Sequence, residues 1–293
     1  MSAAQPTFRE ALAAAIAEIS ATGYVSPDRI NFWVNQLRNA ADRELGSSHQ
    51  IDRDTAHKLG AIYERLADRG KIVERVPEVS RFIITQVKPQ LRAELDRRIL
   101  ASADLIKLDR KRAVEATLDR FQGWSTSIPP GGDGTIDKRE VRAAIGKSVA
   151  QFRYEKRRVE IDQSHKLMAN ISEIVATDAG AIAGIWHDHG EHDKAYDARK
   201  EHLARSGKIF LVRDSWAHQQ GLVKSVHGFM DDITKPGVEV YCRCWYQWIT
   251  SPRRLPDEYL TKKGQEFLAK RITGTSAASS EIRSCVAGHS KSR

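Results

Sequence analysis

Cys242-Arg243-Cys244 places two sulfur donors one residue apart, and six of the ten histidines lie between His187 and His227. Thiolate sulfur and imidazole nitrogen are the donors that hold zinc tetrahedrally, and Cys242, Cys244, His202 and His189 would supply such a set. A metal suits a small domain with few strands, because coordination closes loops that lack a deep core. Zinc loops favour roughly two to four residues between paired cysteines, so a pair of buried thiols beside surface imidazoles is the alternative. A second chemistry is general acid–base work. His202 could exchange a proton while Asp193, Asp197 or Glu201 orients it, and Arg199 could stabilise an anion, as nuclease-like catalysis requires. The same residues also read as a salt-bridged helix face. No Gly-x-Ser-x-Gly, Walker loop, dinucleotide fingerprint or His-Glu-x-x-His occurs, so the expectation is a non-enzyme.

The elements that must position these residues form an α+β region. Ala181-Ile182-Ala183-Gly184-Ile185-Trp186, Gly207-Lys208-Ile209-Phe210-Leu211-Val212 and Gly237-Val238-Glu239-Val240-Tyr241-Cys242 are short, apolar and β-compatible. A charged helix-like run, 193–205, lies between the first two. Upstream, a helix is expected from about Lys138 through Val141, Ile145, Val149 and Phe152 to Ile174, with a break at Gly180. The fold class is thus mainly α with a smaller α+β C-terminal domain: a helical N-terminal region, long connecting helices and few short strands.

In the N-terminal region, 1–125, Phe8, Leu12, Ile16 and Ile19 share one face up to Gly23. Ser26 can cap a second helix with Pro27 at its first position. Leu59, Ile62, Tyr63 and Leu66 imply a third, closed by Gly70. A long pattern then runs through Val79, Phe82, Ile83, Val87, Leu91, Leu95, Ile99, Leu105, Val114 and Leu118, with Pro89 starting a new helix or kinking this one. Such charged helices suit docking on partner helices or a local bundle. Residues 126–137 read as a Pro/Gly-rich linker. Asp133, Asp137 and Glu140 match half of an EF-hand, but Pro129 and Gly131 fall on its first ligand positions, so Asp137 is expected as a helix cap.

The net charge of +9 is uneven: residues 251–293 carry nine Lys/Arg against four Asp/Glu and read as a basic, partly disordered tail. That tail is either solvated or placed near nucleic acid or an acidic surface. Three cysteines make no disulfide framework, and no apolar run reaches membrane-span length, so cytoplasmic folding without a membrane is expected.

Taken in order, the pieces resemble the phage Mu F-like head morphogenesis (minor capsid) family. A helix at 159–177 leads to Trp186; Asp193 and Arg199 follow, with His202 three residues after the arginine. Gly207-Lys208-Ile209-Phe210 supplies the family's turn, and Cys242-Arg243-Cys244 closes the pattern. The resemblance covers 138–250. It departs where members carry a His-Pro-Asn before the cysteines: Val240-Tyr241 stands there, leaving that histidine's role vacant or to His218 or His227. The resemblance implies a structural protein of a tailed phage or prophage, bound to portal and capsid or scaffold proteins. It would act in procapsid assembly, DNA packaging or early DNA delivery, inside the virion after assembly in the host cytoplasm. No cofactor is required, and zinc is compatible. The rivals are a nuclease- or toxin-like enzyme built on Asp193, Arg199 and His202, and a zinc-stabilised nucleic-acid-binding protein.

Overall fold

The computed structural model describes residues 5–68, 70–188 and 199–270. Within them the chain is mostly helical with one small antiparallel sheet, in line with the fold class read from the sequence. Helix α1 spans Phe8–Thr22, opened by a capping box in which Thr7 and Glu10 satisfy each other's backbone N–H groups. Helix α2, Pro27–Glu44, starts where expected: the Ser26 hydroxyl accepts from the Arg29 N–H, and Pro27 needs no partner at the first position. Helix α3, Ser48–Tyr63, continues as a π-helical turn, Glu64–Asp68, before Gly70 turns left-handed.

Helix α4 runs unbroken over Arg81–Ser127 with Pro89 inside it, so no new helix starts at that proline. Phe82 and Leu105 are exposed, unlike Val87, Leu91, Leu95, Val114 and Leu118 of the same expected stripe. Helix α5 spans Lys138–Asp178, and Asp137 caps it by accepting from the Arg139 and Glu140 N–H groups at 2.8 and 3.2 Å. No helix among the described residues is long and apolar enough to cross a membrane.

The chain forms two compact units that do not follow the expected 1–125 and 138–250 division. One comprises Met1–Ala61 with Leu95–Ser164, the other Ile62–Glu94 with His165–Arg293, because α4 and α5 each contribute to both. In the first unit, α1 and α2 bury Leu12, Ile16, Ile19, Ile30 and Leu37 with Phe121, Ile145 and Phe152 in one apolar core. The segment read as a linker is stapled to the end of α1. The Tyr24, Gly131 and Asp133 N–H groups bond to the carbonyls of Ile128, Thr22 and Ser20. Gly132 has a φ of 79°, and a Cβ there would lie 2.4 Å from the Ser20 carbonyl oxygen, so only glycine fits. The Asp133 carboxylate accepts from both the Thr135 N–H and hydroxyl, a local turn in place of half a calcium loop.

The second unit holds the sheet, ordered β2-β1-β3, with β1 Ala183–His187, β2 Ile209–Leu211 and β3 Trp245–Ile249 all antiparallel. Residues 237–242, expected as a strand, form turns instead. Gly237 and Tyr241 both have left-handed φ, 81° and 61°, which ends extended pairing, and the strand begins after the cysteines. Alternation along β1 sorts the two faces of the sheet. Ala183 packs with Ile182, Ile209, Leu211 and Ile249 in an aliphatic core, while Trp186 sits edge-on to Phe210 and Tyr246. The Trp248 N–H, on β3, bonds to the Arg75 carbonyl at 2.7 Å.

Candidate metal centre

Trp186 is fully buried in β1, and its backbone pins the next turn. Its N–H donates to the Lys208 carbonyl at 2.9 Å, and its carbonyl accepts from the Gly207 N–H at 2.8 Å. Gly207, at φ 75°, lets the chain reverse there and lead Phe210 into β2. This turn follows a short helix, α6, Lys200–Arg205, which carries His202 in its first turn. The His202 ring meets Trp186 edge-on with centroids 5.3 Å apart and is 1% exposed. Arg205 lies over the opposite partner of that pair, its guanidinium 5.2 Å from the Trp186 ring.

The two cysteines reach His202 through a second turn. The Cys242 N–H bonds to the Glu239 carbonyl at 3.1 Å, and Tyr241 is forced to φ 61° between them. A non-glycine residue held left-handed costs on the order of 1 kcal/mol or more, strain that collects beside functional sites. The result puts both sulfurs on one side: Cys242 Sγ and Cys244 Sγ each lie 3.6 Å from His202 Nδ1. The three donor atoms lie within 4.8 Å of one another, and all three residues are buried.

That geometry fits a metal on a simple test. Zinc bonds of about 2.3 Å to sulfur and about 2.05 Å to nitrogen, at tetrahedral angles, separate S from N by about 3.6 Å. One ring nitrogen offers a single lone pair or a single proton, so a plain hydrogen bond would favour one sulfur over the other. Equal distances to both are compatible with a shared ion. His202, Cys242 and Cys244 could therefore hold a metal ion.

Electrostatics point the same way. A hydrogen bond from the Cys244 thiol, with further help from the Gly237 N–H at 3.4 Å, holds Cys242 well below the usual thiol range despite burial. Cys244 is driven up, first by that same bond to Cys242 and then by burial and the charge on Cys242. A cation between the two sulfurs would favour ionisation of the second thiol.

An outer layer orients the histidine. Glu239 Oε1 faces His202 Nε2 at 3.5 Å, and Glu239 Oε2 is clamped by Arg199 Nε at 2.7 Å. Arg199 also donates to the Val240 carbonyl at 3.2 Å. His202 Nε2 is buried and makes no hydrogen bond among the described residues; were Nδ1 to ligate a metal, Nε2 would carry the ring proton and face that carboxylate, the carboxylate–histidine pairing common behind bound metals. Sequence reasoning missed Glu239; its only signal was an acid three residues before Cys242.

The structure thus gathers Trp186, Arg199, His202, Gly207, Phe210, Cys242 and Cys244 around one spot. Lys208 is exposed, and Arg243 is half-buried between the cysteines. Asp193 and His189 lie outside the described residues, as does Asp197. Neither of the two substitute histidines joins the centre: His218 Nδ1 bonds to the Arg213 carbonyl at 2.8 Å, and His227 pairs with the Tyr259 hydroxyl. His187 stacks on Trp245 with centroids 4.3 Å apart. His202, buried against two thiols, is placed as a ligand would be, whereas a general base needs a path to substrate. Comparison with protein families, with curated proteins and with solved structures finds no match to this chain.

Proposed function

We propose that this chain is a minor capsid, head morphogenesis protein of a tailed phage or prophage, and that its C-terminal α+β region is closed by a structural zinc ion. One observation carries the reading. Residues far apart in sequence that belong to the Mu F-like pattern, Trp186, His202, Cys242 and Cys244, converge on one buried centre, with Arg199 at its exposed edge. Zinc, when bound by His202 Nδ1 and the two thiolates, would supply a cross-link between α6 and the turn that precedes β3. The chain's own residues prepare the place: Glu239, held by Arg199, faces the imidazole, the Gly237 N–H favours the Cys242 thiolate, and Trp186 covers one side.

A structural role accords with a donor set buried beneath aromatic rings, and the long charged helices α4 and α5 offer surface to portal, capsid or scaffold proteins. Of the segment read as a basic tail, residues 251–270 instead pack into the second unit through Leu255, Tyr259 and Leu260, and the four Lys/Arg of residues 271–293 are compatible with packaged DNA nearby. The test is made in the strain that encodes the chain, with an epitope tag on the protein and heads purified by density gradient. A few copies per particle, reduced by Cys242→Ser or Cys244→Ser, is the expected result. Heads that assemble, package and infect normally after deletion of the gene, with the chain absent from every particle, would overturn the proposal.

A further inference from the structure

The first compact unit contains a groove of about 650 Å³ between the start of α1, the end of α2 and the first half of α5. Its floor is apolar, built on Phe8, Leu12, Val149 and Ala150. Its rim is basic: Arg9, Arg139, Arg142, Lys147 and Arg153. Glu44 is the one acid of the lining, and it is already engaged. Its Oε1 accepts from Arg153 at 3.0 Å and its Oε2 from the Phe8 N–H at 3.2 Å. Among the described residues no ion pair or side-chain hydrogen bond engages Arg9, Arg139, Arg142 or Lys147, which leaves four cations uncompensated.

Helix stability does not account for them. Arg9 sits in the first turn of α1, and Arg139 and Arg142 in the first two turns of α5. The helix dipole presents partial positive charge at those ends and disfavours cations there. Two helix N-termini and four unpaired side chains therefore add their positive potential over one apolar trough. A phosphodiester backbone would use the charge but not the floor; an acidic protein segment with apolar side chains uses both. The chain segments outside the described residues match that chemistry poorly: residues 1–4 carry no acid, residues 271–293 carry four Lys/Arg against one Glu, and residues 189–198 carry Glu191, Asp193 and Asp197 but no Leu, Ile, Val, Phe or Met to meet the floor.

We propose that this groove binds an acidic amphipathic helix of another protein, its apolar face on the floor and its Asp/Glu flanks against the rim. From Arg139 to Arg153 the α5 face rises about 21 Å, which accommodates about four helical turns. This inference is independent of the metal centre and of the phage reading, since it rests on the first unit alone.

The test uses the full chain and a fluorescein-labelled synthetic helix with leucines at i, i+3, i+4 and i+7 flanked by glutamates, read by fluorescence anisotropy. A scrambled peptide of the same composition and a DNA oligonucleotide serve as controls. Binding of the amphipathic peptide is expected, weakened roughly tenfold or more by Arg139→Glu with Arg142→Glu. A similar loss is expected for Ala150→Trp, an exposed position where the added ring fills the floor without removing a charge. Circular dichroism establishes that each variant stays folded. Failure of the amphipathic peptide to bind, equal binding of the scrambled peptide, tighter binding of the DNA, or indifference to Ala150→Trp would each overturn the proposal.

Discussion

Substituting Glu239→Gln removes one charge and keeps the side chain's shape. Glu239 is partly exposed, clamped by Arg199 at 2.7 Å, and faces His202 Nε2 at 3.5 Å without touching either sulfur. If the pocket holds a metal, the carboxylate makes Nδ1 a better donor and fixes the ring proton on Nε2. Loss of such an outer partner typically weakens metal affinity about 10–100-fold. That corresponds to about 1.4–2.7 kcal/mol of binding free energy. The metal-free protein should hardly notice, because an exposed Arg–carboxylate pair contributes only about 0–1 kcal/mol and Arg199 keeps its bond to the Val240 carbonyl. The assay is zinc titration against a competing chromophoric chelator, with thermal melts of metal-free and zinc-loaded samples. Weaker zinc binding with a nearly unchanged metal-free melt is the expected pattern. Unchanged affinity, or an equal loss of stability with and without zinc, would refute the assignment of Glu239 as the residue that positions His202.

Further outcomes follow from the same geometry. Cys242→Ser and Cys244→Ser should each abolish stoichiometric zinc, measured by plasma emission on purified protein; full retention of zinc in either variant would rule that cysteine out as a ligand. Zinc affinity should fall as pH falls. Cys242 is held low and Cys244 high, so the metal-free pair carries one charge near neutrality and binding must release about one further proton, making affinity about tenfold weaker per pH unit of acidification. Below the depressed range of Cys242 the dependence should steepen towards two protons, and a flat profile in chelator titrations would contradict the pairing. Gly184→Val should destabilise the second unit by about 1–3 kcal/mol, read by urea denaturation, because a Cβ there would meet Met230 Cε at 2.5 Å and the Tyr246 ring at 3.0 Å. A change under about 0.5 kcal/mol would mean that the aromatic face of the sheet is less tightly packed than described.

Local signals in the sequence carried the helices well. Ser26-Pro27 and Asp137 mark helix starts because capping chemistry acts within three residues. Of the two outcomes expected at Pro89, a new helix does not occur, for a physical reason: a proline inside a helix loses one backbone bond, a cost that the surrounding burial of Val87, Leu91 and Leu95 can offset. The third strand was misplaced because Gly237-Val238-Glu239-Val240 alternates like a strand, while its course is set by left-handed φ at Gly237 and Tyr241. Residues 128–137 do connect α4 to α5, but the contact of Gly132 with α1 was not legible, because its partner lies more than a hundred residues upstream. Cys242, Cys244 and His202 were legible as donors from their chemistry. Glu239 was not, since its role comes from facing Nε2 across a turn.

The most direct measurement is metal content with sulfur-ligation spectroscopy on the full-length protein purified without added metal or chelator. One zinc per chain is expected, with an absorption-edge spectrum showing two sulfur neighbours at about 2.3 Å and at least one nitrogen, and loss of that signal in Cys242→Ser with Cys244→Ser. A folded preparation that contains no zinc, and takes none up when it is supplied, would contradict it.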